Sequence, residues 1–534
     1  MRLKFRPVFL AVLSLVAVLA TPSEGANILG LFSSHSQSHL IIHMSVAKAL
    51  AKAGHNVTVV SMLEPKVKSK DIHVIVIPVT DEQEAILEDQ MKEMASQKNT
   101  VFATMNRLLS GMTVMIESQY ELLSHPKFQQ IYDTKFDLMI MGWFINDFQL
   151  GVAAKLKVPV IVDWMNAPMA IIDGYVANPS ELSYVPSMFT GVPKGEVMGF
   201  RHRLQNYVTD WILTYLFHVF DLRLTGYYNE QFGKETNFPT LAELRRNVSL
   251  VFVNCHLISE GPIRPLVPAT IQIGGIQIKD TPDPLPKDIE EFLSKSEHGA
   301  ILLSMGSNIK SSAVKPELNK NMFNVLSKLK QNVIWKWENL DDLPGKSANI
   351  FYTKWLPQDD ILAHPKTKLF ITHAGKGGIT EAQYHGVPMV ALPIFGDQPG
   401  NAEKMQNSGY GLSLDLLTLT EENFGAALRE VLENGKYAQE IGQFSVLYRD
   451  RPLTARQEVV YWAEYILRHK GAPHLQSPRV HMSTIAAYNL DVYALLITVL
   501  IISLLLTTLA FKFVLRKVFG KGSSQKNSKK LKKQ

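Results

Sequence analysis

Residues 355–398 read WLPQDDILAHPKTKLFITHAGKGGITEAQYHGVPMVALPIFGDQ. Within them, 368–372 is a short, mostly apolar run that reads as a buried strand, 373–378 (HAGKGG) is a small-residue turn, and 379–385 reads as the helix that follows. Strand, glycine turn and helix together make an anion site. Unpaired N–H groups at the helix start point outward, the helix dipole favours negative charge there, and Gly375, Gly377 and Gly378 let the backbone approach closely. A second apolar run, 387–392, ends at Pro393 and carries Asp397 and Gln398 to the same sheet edge, where open α/β sheets bind their ligands. That polar pair is therefore expected to face whatever hangs from a bound phosphate. The turn has neither the GxGxxG spacing of a dinucleotide fold nor the GxxxxGK[ST] of a P-loop, which sets aside nicotinamide and ATP.

Outward from this stretch the chain alternates strand and helix twice over. Apolar runs at 28–32, 56–61, 74–77, 136–141, 158–162 and 250–254 read as strands, with helical stretches near 40–53, 82–95, 101–123 and 148–156 between them. This is one doubly wound domain, 26–280. The proline-rich, acidic TPDPLP at 281–286 reads as a linker within 281–287, after which the alternation restarts as a second domain over 288–470. The segment 200–224 departs from the pattern: it is helical and carries Trp211, Tyr215, Phe217 and Phe220, which suit core packing, the wall of a lipophilic pocket, or a membrane surface.

The ends of the 534-residue chain set its compartment. Arg2, Lys4 and Arg6 precede an apolar run, 8–20, as in a secretory leader of residues 1–25. A span of 20 uncharged residues, 492–511, matches a bilayer core of about 30 Å and predicts a transmembrane helix after a juxtamembrane segment, 471–491. The tail 512–534 holds nine Lys or Arg and no acid, so it is expected in the cytosol with the body lumenal. Subtracting those nine from the overall +6 leaves about −3, so the basic balance belongs to the ends and gives no case for nucleic acid. Lys530 and Lys532, five and three residues from the end, resemble an endoplasmic reticulum retrieval signal. Cys255 is the one cysteine, so no internal disulfide forms; Asn56 and Asn247 begin glycosylation sequons.

Taken whole, 355–398 resembles the signature of the UDP-glycosyltransferase superfamily, in its membrane-bound animal branch that includes the UDP-glucuronosyltransferases. The matching pieces are Trp355 to Gln358, His364 and Pro365, Thr372 and His373, Glu381 and Ala382, His385 and Gly386, Pro388, and Asp397 to Pro399. The resemblance implies a GT-B fold of two Rossmann-like domains facing a cleft. It also implies donor roles: Trp355 stacks on uracil and Gln358 bonds near base and ribose. Glu381 accepts from ribose hydroxyls, His373 and Ser307 hold the diphosphate, and Asp397 and Gln398 bind the sugar. Two positions depart from the family: Ala374 stands where a second glycine is common, and Gly377 where an asparagine contacts phosphate.

On the acceptor side, Ser38-His39-Leu40 resembles the family's Ser-His-Trp turn, whose histidine is the catalytic base. A neutral imidazole can take a proton from an attacking hydroxyl. His35 and His43 are rivals by proximity. The resemblance further implies an aspartate behind the base, six residues after Phe136, but that residue is Gly142; Asp147 is the nearest acid, with an N-cap role as its alternative. The chain is thus expected to move a glucosyl or glucuronosyl group, with inversion, from a UDP-sugar to a small lipophilic acceptor. No cofactor or metal is expected, and a homo-oligomer is compatible with all of this. A lipid-directed transferase and a non-catalytic nucleotide-sugar or lipophile carrier remain as alternatives.

Overall fold

In the computed structural model, residues 25–66, 69–96, 101–187, 197–259, 261–308, 310–311 and 314–519 are described. The leader through Glu24 and the tail from 520, with its paired lysines, lie outside them. The first strand, β1 (Asn27–Phe32), is apolar on both faces, with Ile28, Leu29, Leu31 and Phe32 all buried. Such a run fits the interior of a parallel sheet covered on both sides by helices, where alternation of polar and apolar residues would fail. It pairs in parallel with β2 (Asn56–Ser61) on one side and β4 (Leu138–Gly142) on the other. With β3 (Ile72–Val76), β5 (Val160–Trp164), β6 (Leu250–Val253) and β7 (Thr270–Gln272) the sheet runs in the order β3-β2-β1-β4-β5-β6-β7.

A second parallel sheet repeats the plan. Its strands are β8 (Ala300–Ser304), β9 (Asn332–Lys336), β10 (Ile350–Thr353), β11 (Thr367–Thr372), β12 (Met389–Ala391) and β13 (Gly411–Ser413). They lie in the order β10-β9-β8-β11-β12-β13. In each sheet the order reverses beside the first strand, between β1 and β4 and between β8 and β11, so each has a switch point with a crevice at its carboxyl edge. The expected strands are all present; β7 and β13, three residues each, are too short to leave a hydrophobic period in the sequence.

The helices that matter to the site are, in chain order, α1 (Gln37–Lys52), α2 (Phe200–Phe232), α3 (Lys376–His385), α4 (Gln398–Asn407), α5 (Ala455–His469) and α6 (Leu490–Phe519). α2 divides the options left open for its aromatics. Phe220, Leu224, Tyr228 and Phe232 are core, while Phe200, Trp211 and Tyr215 are 73%, 72% and 66% exposed. Core packing therefore holds only for its carboxyl half. The helix is 33 residues long, about 50 Å at 1.5 Å per residue.

α5 departs from the expected division of the chain. Placed by sequence in the second domain, it packs into the hydrophobic core of the first sheet through Ala455, Val459, Ala463 and Ile466. Chain proximity suggested the second domain; burial of an apolar face against the first decides otherwise. Residues through Gln476 form one compact unit, so the 281–287 segment does not separate two independent bodies. From Ser477 on, a second unit is dominated by α6, which is long and apolar enough to cross a membrane and extends the expected 492–511 span by two residues before it and eight after.

Candidate active site

The donor side is built at the β8/β11 switch point. Thr372 ends β11, Ala374 turns at φ 62°, and Gly375 is the N-cap of α3. The left-handed turn at Ala374 accounts for the glycine usual there, since a Cβ is strained at that φ. The His373 ring sits between two glycines: an added Cβ would come within 2.4 Å of it at Gly306 and at Gly375. Gly375 is thus needed to make room for His373 as much as for a phosphate. At Gly377 the nearest atom to an added Cβ is 3.9 Å away, so that position is open. Burial holds the His373 pKa down to about 4, aided by nearby Lys336 and opposed by a hydrogen bond to the Ser304 backbone, so the ring is neutral at pH 7. Its Nδ1 and the Oγ of Ser307 are both buried with no hydrogen-bond partner among the described residues. Two such atoms, one beside the start of α3 and one in the turn after β8, suit an anion, because orphaned buried polar groups are costly unless a ligand satisfies them.

The base and ribose side is pre-assembled. Trp355 is 40% exposed and presents its indole, with the turn before it tied by Thr353 Oγ1 donating to the Trp355 carbonyl at 2.9 Å. Gln358 donates through Nε2 to Glu381 Oε2 at 2.7 Å. Desolvation raises the Glu381 pKa to about 8, with Asp359 adding to the shift and bonds from Gln358 and Gln277 opposing it. A buried carboxyl so placed gains from ribose hydroxyls that donate to its ionised form.

The sugar pair divides its labour. Gln398 accepts through Oε1 from the backbone N–H groups of Ile394 and Phe395, at 2.9 and 3.1 Å, which holds its loop. Asp397 accepts at Oδ2 from Asn401 at 2.7 Å and from Asn166, in the first half of the chain, at 3.3 Å. Desolvation raises its pKa against these donors and against Lys376.

The acceptor turn leaves β1 at the other switch point. His39 lies in the first turn of α1, half-buried, its Nδ1 3.0 Å from Ser34 Oγ and its ring 5.3 Å from Phe144. Desolvation, with the His43 and His35 rings beside it, lowers its pKa to about 3, so it is neutral at physiological pH. Ser34 Oγ also accepts from the Ser36 N–H at 3.2 Å. With its proton on Nδ1 donated to Ser34, His39 keeps a lone pair on Nε2. His35 Nε2 lies 2.7 Å from Ser118 Oγ, and its Nδ1 has no hydrogen-bond partner among the described residues, while His43 is buried against Asp163.

Asp147 does not back His39. It is 1% exposed, accepts from the hydroxyl of Tyr175, and lies 3.2 Å from Arg245 Nε. Arg245 in turn reaches Asp221 at 2.5 Å. Oδ1 of the carboxylate is held in this network, where a guanidinium forms stronger bonds than a neutral imidazole would, while Oδ2 has no hydrogen-bond partner among the described residues. The expectation that Asp147 replaces the missing acid is therefore corrected. Among the described residues, the hydrogen-bond partner of His39 is a serine hydroxyl. A cavity beside the carboxyl edge of the first sheet is lined by Met169, Leu213, Phe217, Asp173, Asp210 and Arg264, none of which belongs to the donor set.

Three residues that sequence patterning did not single out tie the halves together. Ser36, three residues before His39, donates to Asn308 Oδ1 at 2.8 Å, next to Ser307. Asn166 reaches Asp397, and Gln277 donates to the Gly377 carbonyl at 3.4 Å. Each lies in a loop without periodicity, so nothing in the sequence marks it.

Comparison with known proteins agrees with this geometry. The family described as "UDP-glucoronosyl and UDP-glucosyl transferase" matches residues 30–525. UDP-glycosyltransferase UGT5 of Dactylopius coccus is 34% identical, over 95% of this chain and 96% of its own. UDP-glucuronosyltransferase 2B17 of Rattus norvegicus is 30% identical over 92% and 94%. Among solved structures, the spinosyn forosaminyltransferase SpnP shares the fold, with a TM-score of 0.53 at 16% identity, covering 83% of this chain and 99% of that one. A match of this extent, on a chain with two parallel sheets that each have a switch point, places it: the protein belongs to the UDP-glycosyltransferase family of sugar-transferring enzymes.

Proposed function

We propose that this enzyme transfers glucose or glucuronic acid, with inversion, from a UDP-sugar to a hydroxyl of a small lipophilic acceptor. His39 Nε2 takes the hydroxyl proton, the oxygen attacks the anomeric carbon opposite the diphosphate, and the bond from that carbon to phosphate breaks to release UDP. The α3 N-terminus, His373 and Ser307 stabilise the charge on the leaving group. The observation that carries this reading is the Ser36–Asn308 bond at 2.8 Å, which holds the turn of the base against the loop of the diphosphate. Every step is proton transfer and displacement by the chain's own residues, and no metal is invoked. We further propose that α6 anchors the chain as a single span in the endoplasmic reticulum with the catalytic unit lumenal, on the strength of the basic residues that follow the span.

A second reading, a carrier that binds nucleotide sugars without turnover, is favoured by one observation: the partner of His39 is a hydroxyl and not a carboxylate. UDP release from membranes containing the protein, with UDP-glucose, UDP-glucuronic acid and a simple phenol, separates the two. Turnover lost in His39→Ala with UDP binding kept supports the transferase. UDP binding by the unaltered protein with no turnover on any donor supports the carrier.

A further inference from the structure

The loop that follows β4 touches the base. From Met141 to Leu150 every residue is buried except Phe144, which is half-buried, its ring centroid 5.3 Å from that of His39 and its plane tilted by 48°. Both polar groups of the Phe144 backbone are taken by buried side chains. Its N–H donates to Asn146 Oδ1 at 2.9 Å, and its carbonyl accepts from Gln119 Nε2 at 3.2 Å. Asn146 reaches further with Nδ2, which lies 3.0 Å from the Gly142 carbonyl, 2.8 Å from Gln149 Oε1 and 3.2 Å from Ser33 Oγ. Ser33 directly precedes Ser34, whose hydroxyl lies 3.0 Å from His39 Nδ1. One buried network therefore holds both neighbours of the imidazole, the hydroxyl at its Nδ1 and the ring packed beside it.

The backbone shows that this loop is held against its own preference. Ile145, between Phe144 and Asn146, has φ 55°, in the left-handed region that a β-branched residue rarely enters. Such strain persists only where the surroundings over-determine it, and it gathers at sites of function. Apolar side chains could fill the same space without the desolvation of Ser33, Gln119, Asn146 and Gln149. What the satisfied network adds is a fixed place for one ring.

We propose that Phe144, set in place by Asn146, is a positioning residue for His39: it holds the imidazole in one orientation and keeps water from it. This rests on the reading of His39 as the base. An imidazole bonded at Nδ1 and packed against Phe144 has lost its rotational freedom before an acceptor arrives, so the direction of Nε2 is set in advance. Exclusion of water agrees with the lowered His39 pKa, whose first cause is desolvation. The ionisable groups that act on His39 are the His43 and His35 rings, both lowering it, while Asp147 of the same loop is turned to Tyr175 and Arg245.

The test uses the full-length chain in membranes, following kcat and KM for a UDP-sugar and a phenol as a function of pH, with UDP binding as the measure of an intact fold. Phe144→Ala removes the ring and admits water. It should lower kcat by roughly ten- to a hundredfold, the cost of a misplaced catalytic group, and leave KM for the UDP-sugar within about twofold. It should also bring an acid limb into kcat/KM as the His39 pKa rises toward its ordinary value of about 6.5. Phe144→Leu restores apolar bulk and should remove that limb again. Asn146→Ala frees the Phe144 N–H and should give the same limb with a smaller loss of kcat; if it loses UDP binding, the two Phe144 variants decide alone. Unchanged kcat and pH profile in Phe144→Ala, or an effect confined to KM for the phenol, overturns the proposal, the latter by making Phe144 a pocket wall only. His39→Ala is measured first. Turnover kept in that variant overturns the base reading itself, whereas turnover lost there and unaltered in Phe144→Ala overturns the positioning role alone.

Discussion

The two switch points have the same strand order and different architecture. At β8/β11 the proposed binding groups arrive in one contiguous piece, from Trp355 to Gln398, with Ser307 added from the turn after β8. They are arranged before any ligand arrives: Gln358 is already on Glu381, Asn401 already on Asp397. At β1/β4 the groups come from α1, the end of β4, the end of β5 and the loop after it, and they are joined by single hydrogen bonds to a serine or an aspartate. The lesson is that one topology can carry a dense, local set of polar groups at one switch point and a sparse set joined over long sequence distances at the other. The first tolerates little change in backbone and the second little change in charge.

Glycine exchanges give the largest expected effect on the dense side. Gly375→Ala forces a methyl to 2.4 Å from the His373 ring and should weaken UDP binding by roughly ten- to a hundredfold, the cost of overpacking, whereas Gly377→Ala should leave it within about twofold. Titration calorimetry on both variants decides; equal losses would mean that backbone approach to phosphate, and not the seat of His373, sets the need for glycine.

Next comes pH. Glu381 has its pKa raised to about 8 in the free protein, and ribose hydroxyls favour its ionised form, so UDP binding should release protons near pH 7.5 and tighten severalfold between pH 6.5 and 8.5. The same shift works against the free fold. From the ordinary value of 4.5 up to about 8 the folded state holds a proton that the unfolded state has lost, so stability falls with rising pH across that window. Glu381→Gln should flatten both dependences. With its pKa lowered to about 3, His39 contributes no acid limb around 6.5, so a fall in kcat/KM centred there would contradict that depressed pKa.

A smaller effect sharpens the link between the two sites. Loss of the Ser36–Asn308 bond in Ser36→Ala is expected to cost about 1 kcal/mol of transition-state stabilisation, a severalfold drop in kcat/KM, and Asn308→Ala in that background should add little. Full additivity would show that the two residues act apart. Smallest of all, Ala374→Gly relieves a positive φ and should raise stability by about 1 kcal/mol without altering turnover, read from a urea midpoint.

The difference between the sites also decides what could be read in advance. The donor half was legible because strand, turn, helix and polar pair are consecutive, so spacing alone fixes their relations. The acceptor half was only partly so. His39 follows β1 and could be placed, but Asp147 was the wrong acid because its engagement with Tyr175 and Arg245, 28 and 98 residues on, leaves no local trace. His43 is the packed histidine its helical spacing suggested, but its partner Asp163 lies 120 residues away and could not be foreseen. For the aromatics of α2 composition left core, pocket wall and membrane surface all open, and only packing reveals that Trp211 faces outward.

Helix α5 carries a practical consequence for any attempt to take the molecule apart. A fragment ending in the proline-rich stretch near 281–287 would lack Val459 and Ile466, and with them a wall of the first sheet's interior. Each fully buried aliphatic side chain of that kind contributes about 1.5–3 kcal/mol, so the orphaned amino half would bare a greasy seam and tend to clump before it ever met a substrate. Severing the chain by counting domains along the sequence would therefore destroy what it sets out to isolate; the amino half has to be co-expressed with, or joined to, the helix that returns to close it.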